Sequence, residues 1–216
     1  MKTFLDHIAV AAPDLASGAD FVERALGVRP RAGGAHPRMG THNVLLRLGD
    51  DIYLEVISPD PAAPPPGRAR WFELDALAPA SVPRLAAWVA RTDDIVAARQ
   101  ACGAVVGEVE PMTRGALSWR ITIPADGALP DGGAAPALIQ WDVAAHPAAA
   151  LDDLGCTLQG LDVFHPDPAR IRRLLDAAAF AGPVRVHGLP AGAAARLSAR
   201  ILTPRGPRTL PAALPV

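Results

Sequence analysis

A histidine stands in the middle of an apolar stretch near the start of the chain, within FLDHIAVAA. The imidazole of His7 is a group that commonly binds a divalent metal or carries a proton in catalysis. Further along, Glu55 interrupts the apolar run YLEVIS, and Gln140 interrupts ALIQW. Burying such a polar group without a partner costs on the order of a few kcal/mol. We therefore expect these side chains to be satisfied by one another, by water or by a cation.

The composition limits which class of protein can carry these groups. The 216 residues are half hydrophobic, and 21 basic against 22 acidic residues give a formal net charge of -1. This length allows a sizeable core, in one large domain or two small ones. The charge balance predicts no nucleic-acid and no membrane partner, and no apolar run reaches the roughly 18–20 residues that span a bilayer. With two cysteines and no signal-peptide pattern, the chain is expected to be cytoplasmic.

The hydrophobic pattern predicts a repeated order of elements. The first 58 residues are predicted as a strand, a helix that ends at Gly27, and two or three strands. The same order recurs, so modules are predicted at residues 1–60 and 84–145, joined by RARWFELDALAPASVP. A rougher third copy, a strand followed by a helix and two strands, is predicted at 155–206. One such half-sheet cannot bury both of its faces alone, so we expect the copies to pack together.

In the order and spacing of five segments, the chain resembles the vicinal-oxygen-chelate superfamily, and within it the glyoxalase-like domains. These segments are LDHIAVAAPDL, GTHNVLLRLGDDIYLEVISPDP, RGALSWRITIPADG, GGAAPALIQWDVAAHP and ILTPRG. The resemblance implies an α+β fold in which repeated βαβββ modules form one cupped mixed sheet. Helices would cover the convex face, a third partial module would follow at the C-terminus, and the concave face would hold a metal or a small-molecule ligand.

The resemblance also implies that metal ligands come from the first and last strands of each module. These positions hold His7 and Glu55 in the first module, and Ala86 or its neighbours and Gln140 in the second. Because side chains alternate along a strand, the three polar ones can all point into the cup, with Asp6 on the opposite face of its strand. Such ligands suit Zn, Fe, Mn, Co or Ni, and Glu55 would be the catalytic residue. The alternative is a metal-free polar cluster around ordered water.

Four further residues are candidates for contact with a substrate. Arg114 and Trp119 suit an anionic, partly apolar ligand, because a guanidinium can fork onto a carboxylate. His36, in the loop GGAHPRMG, is placed at the rim of the cup. Asn43 and His42 lie on opposite faces of one strand, and the sequence does not decide which of them faces the cup. Trp119 has the alternative role of a core residue, and His36 and His42 that of ordinary hydrogen-bonded or surface histidines.

Two functions follow from these groups and both stay open. The first is a lyase, isomerase or dioxygenase that uses a divalent metal on a small oxygen-bearing molecule. The second is a non-catalytic protein of the same fold that binds or sequesters a small molecule. The chain has no phosphate loop, GxGxxG, GxSxG or HExxH motif, which argues against hydride transfer and serine hydrolysis. A homodimer and a monomer with a closed site are both expected arrangements. His146 and His165 stand beside prolines and are interpreted as turn residues without a role.

Overall fold

A computed structural model describes residues 1–143 and 146–211, so residues 144–145 of the predicted second module lie outside it. The first unit contains β1 (Thr3–Ala11), α1 (Leu15–Leu26), β2 (Arg31–His36), β3 (Thr41–Arg47) and β4 (Tyr53–Pro59). The second contains β5 (Arg84–Thr92), α2 (Ile95–Cys102), β6 (Glu108–Arg114), β7 (Leu117–Ile123) and β8 (Ala137–Trp141). The C-terminal segment contains β9 (Thr157–His165), α3 (Pro168–Ala177), β10 (Phe180–Ala181), β11 (Val184–Gly188), β12 (Arg196–Thr203) and β13 (Gly206–Leu210).

One large sheet joins the first two units. Its strand order is β2-β3-β4-β1-β5-β8-β7-β6, and the short β10 pairs with the beginning of β1. The antiparallel pair β1–β5 stands in the centre, and β4 and β8 pair in parallel with β1 and β5. Because each unit repeats the same strand order outward from the central pair, the two units share one concave face. The predicted repeat of βαβββ units in a mixed sheet is confirmed.

The convex face of the large sheet is covered by helices, as predicted, and also by a second sheet. This sheet has the strand order β11-β9-β12-β13, and it contacts α1 through β13 and β5 through β12. Trp88 of β5, Phe21 of α1 and Ile201 of β12 are fully buried in the same hydrophobic cluster. The C-terminal segment therefore completes the outer layer and leaves the concave face open for a ligand.

The sequence of α1 explains where this helix begins and ends. The Asp14 side chain accepts a hydrogen bond from the backbone N–H of Ser17, which satisfies one of the free donors of the first turn. Gly27 ends the helix with a left-handed φ of 74°, a conformation that glycine adopts without steric cost. The predicted end of the helix is confirmed.

Within residues 1–143 and 146–211, none of the helices is long and apolar enough to cross a lipid bilayer. The predicted homodimer stays a prediction, because the structure contains one chain.

Candidate functional site

The concave face of the large sheet holds a half-open cavity. Both βαβββ units contribute to its wall, and so do the linker between them and the segment that follows β8. Its apolar side is formed mainly by Trp71, Phe72, Trp119, Ile121, Ile139 and Trp141, and its polar side by His7, His36, Asn43, Tyr53, Glu55 and Arg114. A mostly apolar pocket with a few grouped polar side chains is typical of a small-molecule site.

The linker contributes to this cavity, which the sequence did not predict. Arg70 Nε donates to the carbonyl of Gly40 in the first unit (3.0 Å), and Glu73 N donates to that of Gly127 in the second (2.9 Å). Trp71 and Phe72, between these two bonds, line the cavity. The buried indole N–H of Trp71 has no acceptor among the described residues, so a ligand oxygen is a suitable partner for it. An adjacent aromatic pair in a proline-rich linker is the signal that points to this role.

His7 and Glu55 meet at the polar end of the cavity. They lie on the neighbouring parallel strands β1 and β4, and His7 Nε2 is 3.6 Å from Glu55 Oε2. Both side chains are buried, and the ring of Tyr53 stacks on the His7 ring with centroids 4.5 Å apart. A separation of 3.6 Å is too long for a direct hydrogen bond, so both atoms are available to a ligand or to water at the cavity surface.

Asn43 fixes the orientation of the Glu55 carboxylate. Its Nδ2 donates to Glu55 Oε1 (2.6 Å), and its own Oδ1 accepts from the backbone N–H of Gly34 (2.8 Å). The second bond identifies which end of the amide is the oxygen. Asn43 is therefore the member of the Asn43–His42 pair that faces the cavity, while His42 lies 3.9 Å from Asp60. Glu55 Oε1 is occupied, and Oε2 is left facing His7.

Asp6 is part of the site, contrary to the prediction from strict alternation. The pairing of β1 with β5 shifts between Leu5 and His7, so Asp6 is an extra residue with the geometry of a β-bulge. Asp6 Oδ1 lies 2.6 Å from His7 Nδ1. The prediction that Asp6 lies on the face opposite His7 is wrong here, because the bulge interrupts the two-residue period.

His146 and Trp141 complete the surroundings of Asp6. Trp141 Nε1 donates to Asp6 Oδ2, and His146 Nε2 lies 2.9 Å from the same oxygen. Burial alone raises the pKa of Asp6, but the hydrogen bonds from His146 and His7 outweigh it and hold this pKa well below its ordinary range. His146 does precede a turn, Pro147–Ala150, as interpreted, but its side chain also reaches a buried carboxylate, which the sequence did not predict.

Gln140 does not join the cluster. On β8 it is Ile139 and Trp141 that line the cavity, while Gln140 Oε1 accepts from the backbone N–H of Ile95 at the start of α2 (2.9 Å). The prediction that Gln140 converges with His7 and Glu55 is wrong. Its amide instead satisfies a free donor in the first turn of a helix on the convex side.

Arg114 and His36 form the side of the cavity next to Asn43. Arg114 Nη1 is 3.4 Å from His36 Nε2 and 3.5 Å from Asn43 Oδ1, both long contacts. Within the described parts of the chain, no carboxylate lies within 4.0 Å of the Arg114 guanidinium. His36 closes β2 instead of lying in a loop, and its Nδ1 is 3.1 Å from Thr41 Oγ1. Trp119 packs edge-on to His36, with ring centroids 6.3 Å apart.

Comparison with known proteins agrees with this architecture. The model of the glyoxalase-like domain family matches residues 5–179. This chain belongs to that family. Among solved structures, a hypothetical protein from Staphylococcus aureus is similar to this glyoxalase-like chain, with 14% identity, a TM-score of 0.60, and 88% of this chain and 87% of that one covered. No curated protein matches the sequence.

Two epimerases are also similar in fold. A methylmalonyl-CoA epimerase of Streptomyces coelicolor, in complex with 2-nitronate-propionyl-CoA, has 19% identity and a TM-score of 0.43, with 64% of this chain and 97% of that one covered. The methylmalonyl-CoA epimerase of Mycobacterium tuberculosis has 19% identity and a TM-score of 0.39, with 67% and 91% covered. These likenesses concern the fold, and no residue role is transferred from them.

Proteins of this fold commonly bind divalent metals, but the donor atoms of this glyoxalase-like cavity do not fit one. In the first unit, His7 Nε2 and Glu55 Oε2 face each other at 3.6 Å as possible metal ligands. The second unit presents Ala86, Ile139 and Trp141 on its inner face. No three His, Cys, Asp or Glu side chains are grouped to hold a metal anywhere in 1–143 or 146–211. Catalytic zinc sites use three protein ligands.

The burial of His36 predicts a pH-dependent stability. Burial lowers the pKa of His36 to about 4; Arg114 acts in the same direction, and Glu55 opposes it. An unfolded histidine has a pKa near 6.5, so between about pH 6.5 and 4 the unfolded chain binds a proton that the folded chain does not. Stability is therefore complete above this window and falls as the pH falls through it, by about 2 kcal/mol between pH 7 and pH 5.

We expect His36→Gln to remove this component. Urea denaturation at pH 7 and pH 5 measures it, as the change in unfolding free energy between the two pH values. His165→Gln, at a turn of the C-terminal segment, is the matched control and should keep the wild-type change. An equal pH dependence in wild type and His36→Gln contradicts the prediction.

Proposed function

We propose that this protein binds a small, partly apolar carboxylate bearing a carbonyl oxygen, and that Glu55 removes a proton from the carbon beside that carbonyl. The observation that carries the proposal is the position of Arg114. Its unpaired guanidinium stands one side chain away from Glu55, through Asn43, inside a cavity with aromatic walls. The Arg114 guanidinium can hold an anion, and the free oxygen of Glu55 can accept a proton from it.

Binding of the anion uses contacts that the ligand-free cavity leaves weak. The Arg114 guanidinium makes only long contacts, of 3.4 and 3.5 Å, to His36 and Asn43. A carboxylate can replace both with two short charge-assisted bonds, and the aromatic wall then covers the apolar part of the ligand. The neutral state of His36, whose pKa is lowered to about 4, leaves the cation of Arg114 as the charge on this side of the cavity at neutral pH.

The proton step uses the free oxygen of Glu55. The C–H bond breaks and its electron pair forms the carbon–carbon double bond of an enolate, while the π pair of the carbonyl moves onto its oxygen and the proton goes to Glu55 Oε2. His7 Nε2, 3.6 Å away, is placed to accept the proton next or to hold a water between them. Return of the proton to carbon regenerates a keto acid, so the reaction class is proton exchange, isomerisation or epimerisation. Arg114 lowers the free energy of the negative enolate.

Binding without chemistry is the alternative, and the dominance of aromatic side chains in the wall supports it. Phenylpyruvate is a suitable probe, because it carries a carboxylate, a ring and exchangeable C3 protons. Faster loss of its C3 proton signals in heavy water than in buffer alone, measured by NMR, supports proton transfer. Tight binding with exchange at the buffer rate supports the binding alternative.

Arg114→Met is expected to weaken the binding of phenylpyruvate by about 10- to 100-fold, the usual loss for one charge-assisted contact. The affinity for phenylacetone, which keeps the carbonyl but lacks the carboxylate, should fall much less. Titration calorimetry with both compounds measures this difference. Arg185→Met, on the exposed edge strand β11, is the matched control. Equal losses for the two ligands would remove Arg114 as the anion anchor.

The same exchange assay tests the need for a metal. Because His7 Nε2 and Glu55 Oε2 are too few ligands for a metal, we expect dialysis against a chelator to leave the exchange rate unchanged. Zn, Mn, Fe, Co or Ni added back afterwards should not raise it. A rate lost on chelation and restored by one of these ions contradicts the metal-independent mechanism.

A further inference from the structure

The hydrogen bonds around Asp6 run in one direction and can be followed group by group. The backbone N–H of Ala148 donates to His146 Nδ1 (3.2 Å), so this nitrogen carries the lone pair and His146 Nε2 carries the proton. His146 Nε2–H therefore donates to Asp6 Oδ2 (2.9 Å), which also accepts from Trp141 Nε1–H (2.9 Å). Oδ2 therefore accepts two hydrogen bonds.

The other oxygen of Asp6 determines the state of His7. With Trp141 Nε1–H and His146 Nε2–H both donating to Oδ2, Asp6 has the surroundings of an ionised carboxylate, which can only accept. The 2.6 Å contact with His7 therefore needs a proton on His7 Nδ1. In a neutral ring, this leaves a lone pair on Nε2, which faces Glu55 Oε2.

We propose that Asp6 is a positioning residue, held by Trp141 of the second unit and by His146 of the segment that follows β8, that fixes His7 in the Nδ1–H tautomer. Asp6 is fully buried and does not line the cavity, so it acts through His7. Through Asp6, Trp141 and His146 thus determine which ring nitrogen of His7 carries the proton.

This tautomer deepens the proposed function, on which the following consequence rests. The gap between His7 Nε2 and Glu55 Oε2 is bordered by two acceptors, since Asn43 orients Glu55 by donating to Oε1. A ligand atom that enters the gap must therefore be a donor, such as an acidic C–H or a hydroxyl. A carbonyl oxygen is repelled there, so the carbonyl of the substrate turns toward Arg114 and the proton to be removed turns toward the gap.

Nitrogen-15 NMR of histidine-labelled protein without ligand tests the tautomer directly. Two-bond couplings from the ring protons distinguish a protonated from an unprotonated ring nitrogen, and the His7 signals are assigned from their loss in His7→Gln. At about pH 8, above the ordinary histidine pKa of about 6.5, we expect a proton on Nδ1 and none on Nε2. A proton on Nε2, in the other tautomer or in the imidazolium, overturns the proposal.

Asp6→Asn gives the stronger test, because it should reverse the tautomer. The amide oxygen of the new side chain is needed by two donors, Trp141 Nε1–H and His146 Nε2–H, so its NH₂ group turns to His7 Nδ1. His7 must then accept on Nδ1 and carry its proton on Nε2. A merely structural role of Asp6 predicts no such exchange of protonated nitrogens, and an unchanged tautomer in the folded variant overturns the proposal.

Two further variants keep the test decisive. Asp162→Asn, on β9 of the second sheet, changes a carboxylate that also contacts a histidine, His187, at 2.8 Å, and it should leave the His7 spectrum unchanged. Trp141→Phe removes one donor to Asp6 and should keep the Nδ1–H tautomer even where Asp6→Asn does not fold. Failure of phenylpyruvate to bind or exchange affects the proposed function but not this result, which needs no ligand.

Discussion

Replacing Glu55 with glutamine is expected to slow the exchange of the phenylpyruvate C3 protons by about 100- to 10,000-fold, the usual contribution of a positioned general base. The amide keeps the size of the carboxyl group, and its oxygen can still accept from Asn43 Nδ2. Its NH₂ group then takes the place of Oε2 opposite His7 Nε2, so the gap loses its acceptor oxygen. The folded structure should therefore persist while the proton acceptor is lost.

The measurement is the rate of deuterium incorporation at C3, followed by NMR at saturating phenylpyruvate. Glu110→Gln is the matched control. Glu110 lies on β6, forms ion pairs with Arg38 and Arg68, and does not line the cavity. It should keep the wild-type rate. Exchange at the wild-type rate in Glu55→Gln, with binding intact, shows that Glu55 is not the base.

The sequence was sufficient to predict the elements that carry the site. Alternation along β4 correctly places Glu55 on the face opposite Leu54 and Val56, which belong to the outer hydrophobic cluster. The repeat of the βαβββ order predicts a shared concave face, and the two units do share one sheet, with the pair β1–β5 at its centre. These predictions succeed because a period of two residues is a local property of a strand.

Which set of alternate residues faces the cup is not a local property. On β8, both sides of the strand are buried, because the helices cover one side and the cavity wall forms the other. Hydrophobicity then gives no sign of the inner face, and Gln140 was assigned to it wrongly. The bulge at Asp6 is a similar case, since it depends on how β1 pairs with β5, some 80 residues away.

His146 and Trp71 were missed for another physical reason. Both lie outside the regular strands, where neither helical nor strand periodicity relates a residue to a face. His146 is placed by its hydrogen bond with Asp6, at a sequence separation of 140 residues, and Trp71 by the linker bonds to both units. Through such long-range contacts, residues of the first unit bind partners that lie far away in the sequence.

Those long-range contacts make Asp6 the residue whose loss should cost the most stability. Asp6→Ala is expected to lower the free energy of unfolding by about 3–5 kcal/mol, as for other buried charged networks broken on one side. His7 Nδ1–H, His146 Nε2–H and Trp141 Nε1–H all lose their acceptor, and the first two side chains are almost excluded from water. Urea denaturation at pH 7 measures this loss.

Asp162→Ala is the matched control for this prediction. Asp162 is also buried and paired, but its partners Arg200 and His187 keep 35% and 42% of their side-chain surface exposed, so water can replace the carboxylate. We expect a loss of about 1 kcal/mol there. A loss at Asp6 no larger than that at Asp162 means that water reaches the Asp6 pocket, and the buried network is then not what holds the two units together at this point.

The pH dependence gives the same prediction a second measurement. The folded-state pKa of Asp6 lies below its unfolded value of 3.8, so its contribution is complete above about pH 4 and is lost as the pH falls further. Wild type and Asp6→Ala should therefore differ by a constant amount from pH 5 to pH 8, and the difference should shrink in acid. Since the His36 component falls between pH 6.5 and 4 in both proteins, it cancels in this comparison. A difference that instead grows as the pH falls from 8 to 5 assigns the stabilising charge to a protonated histidine and not to the Asp6 carboxylate alone.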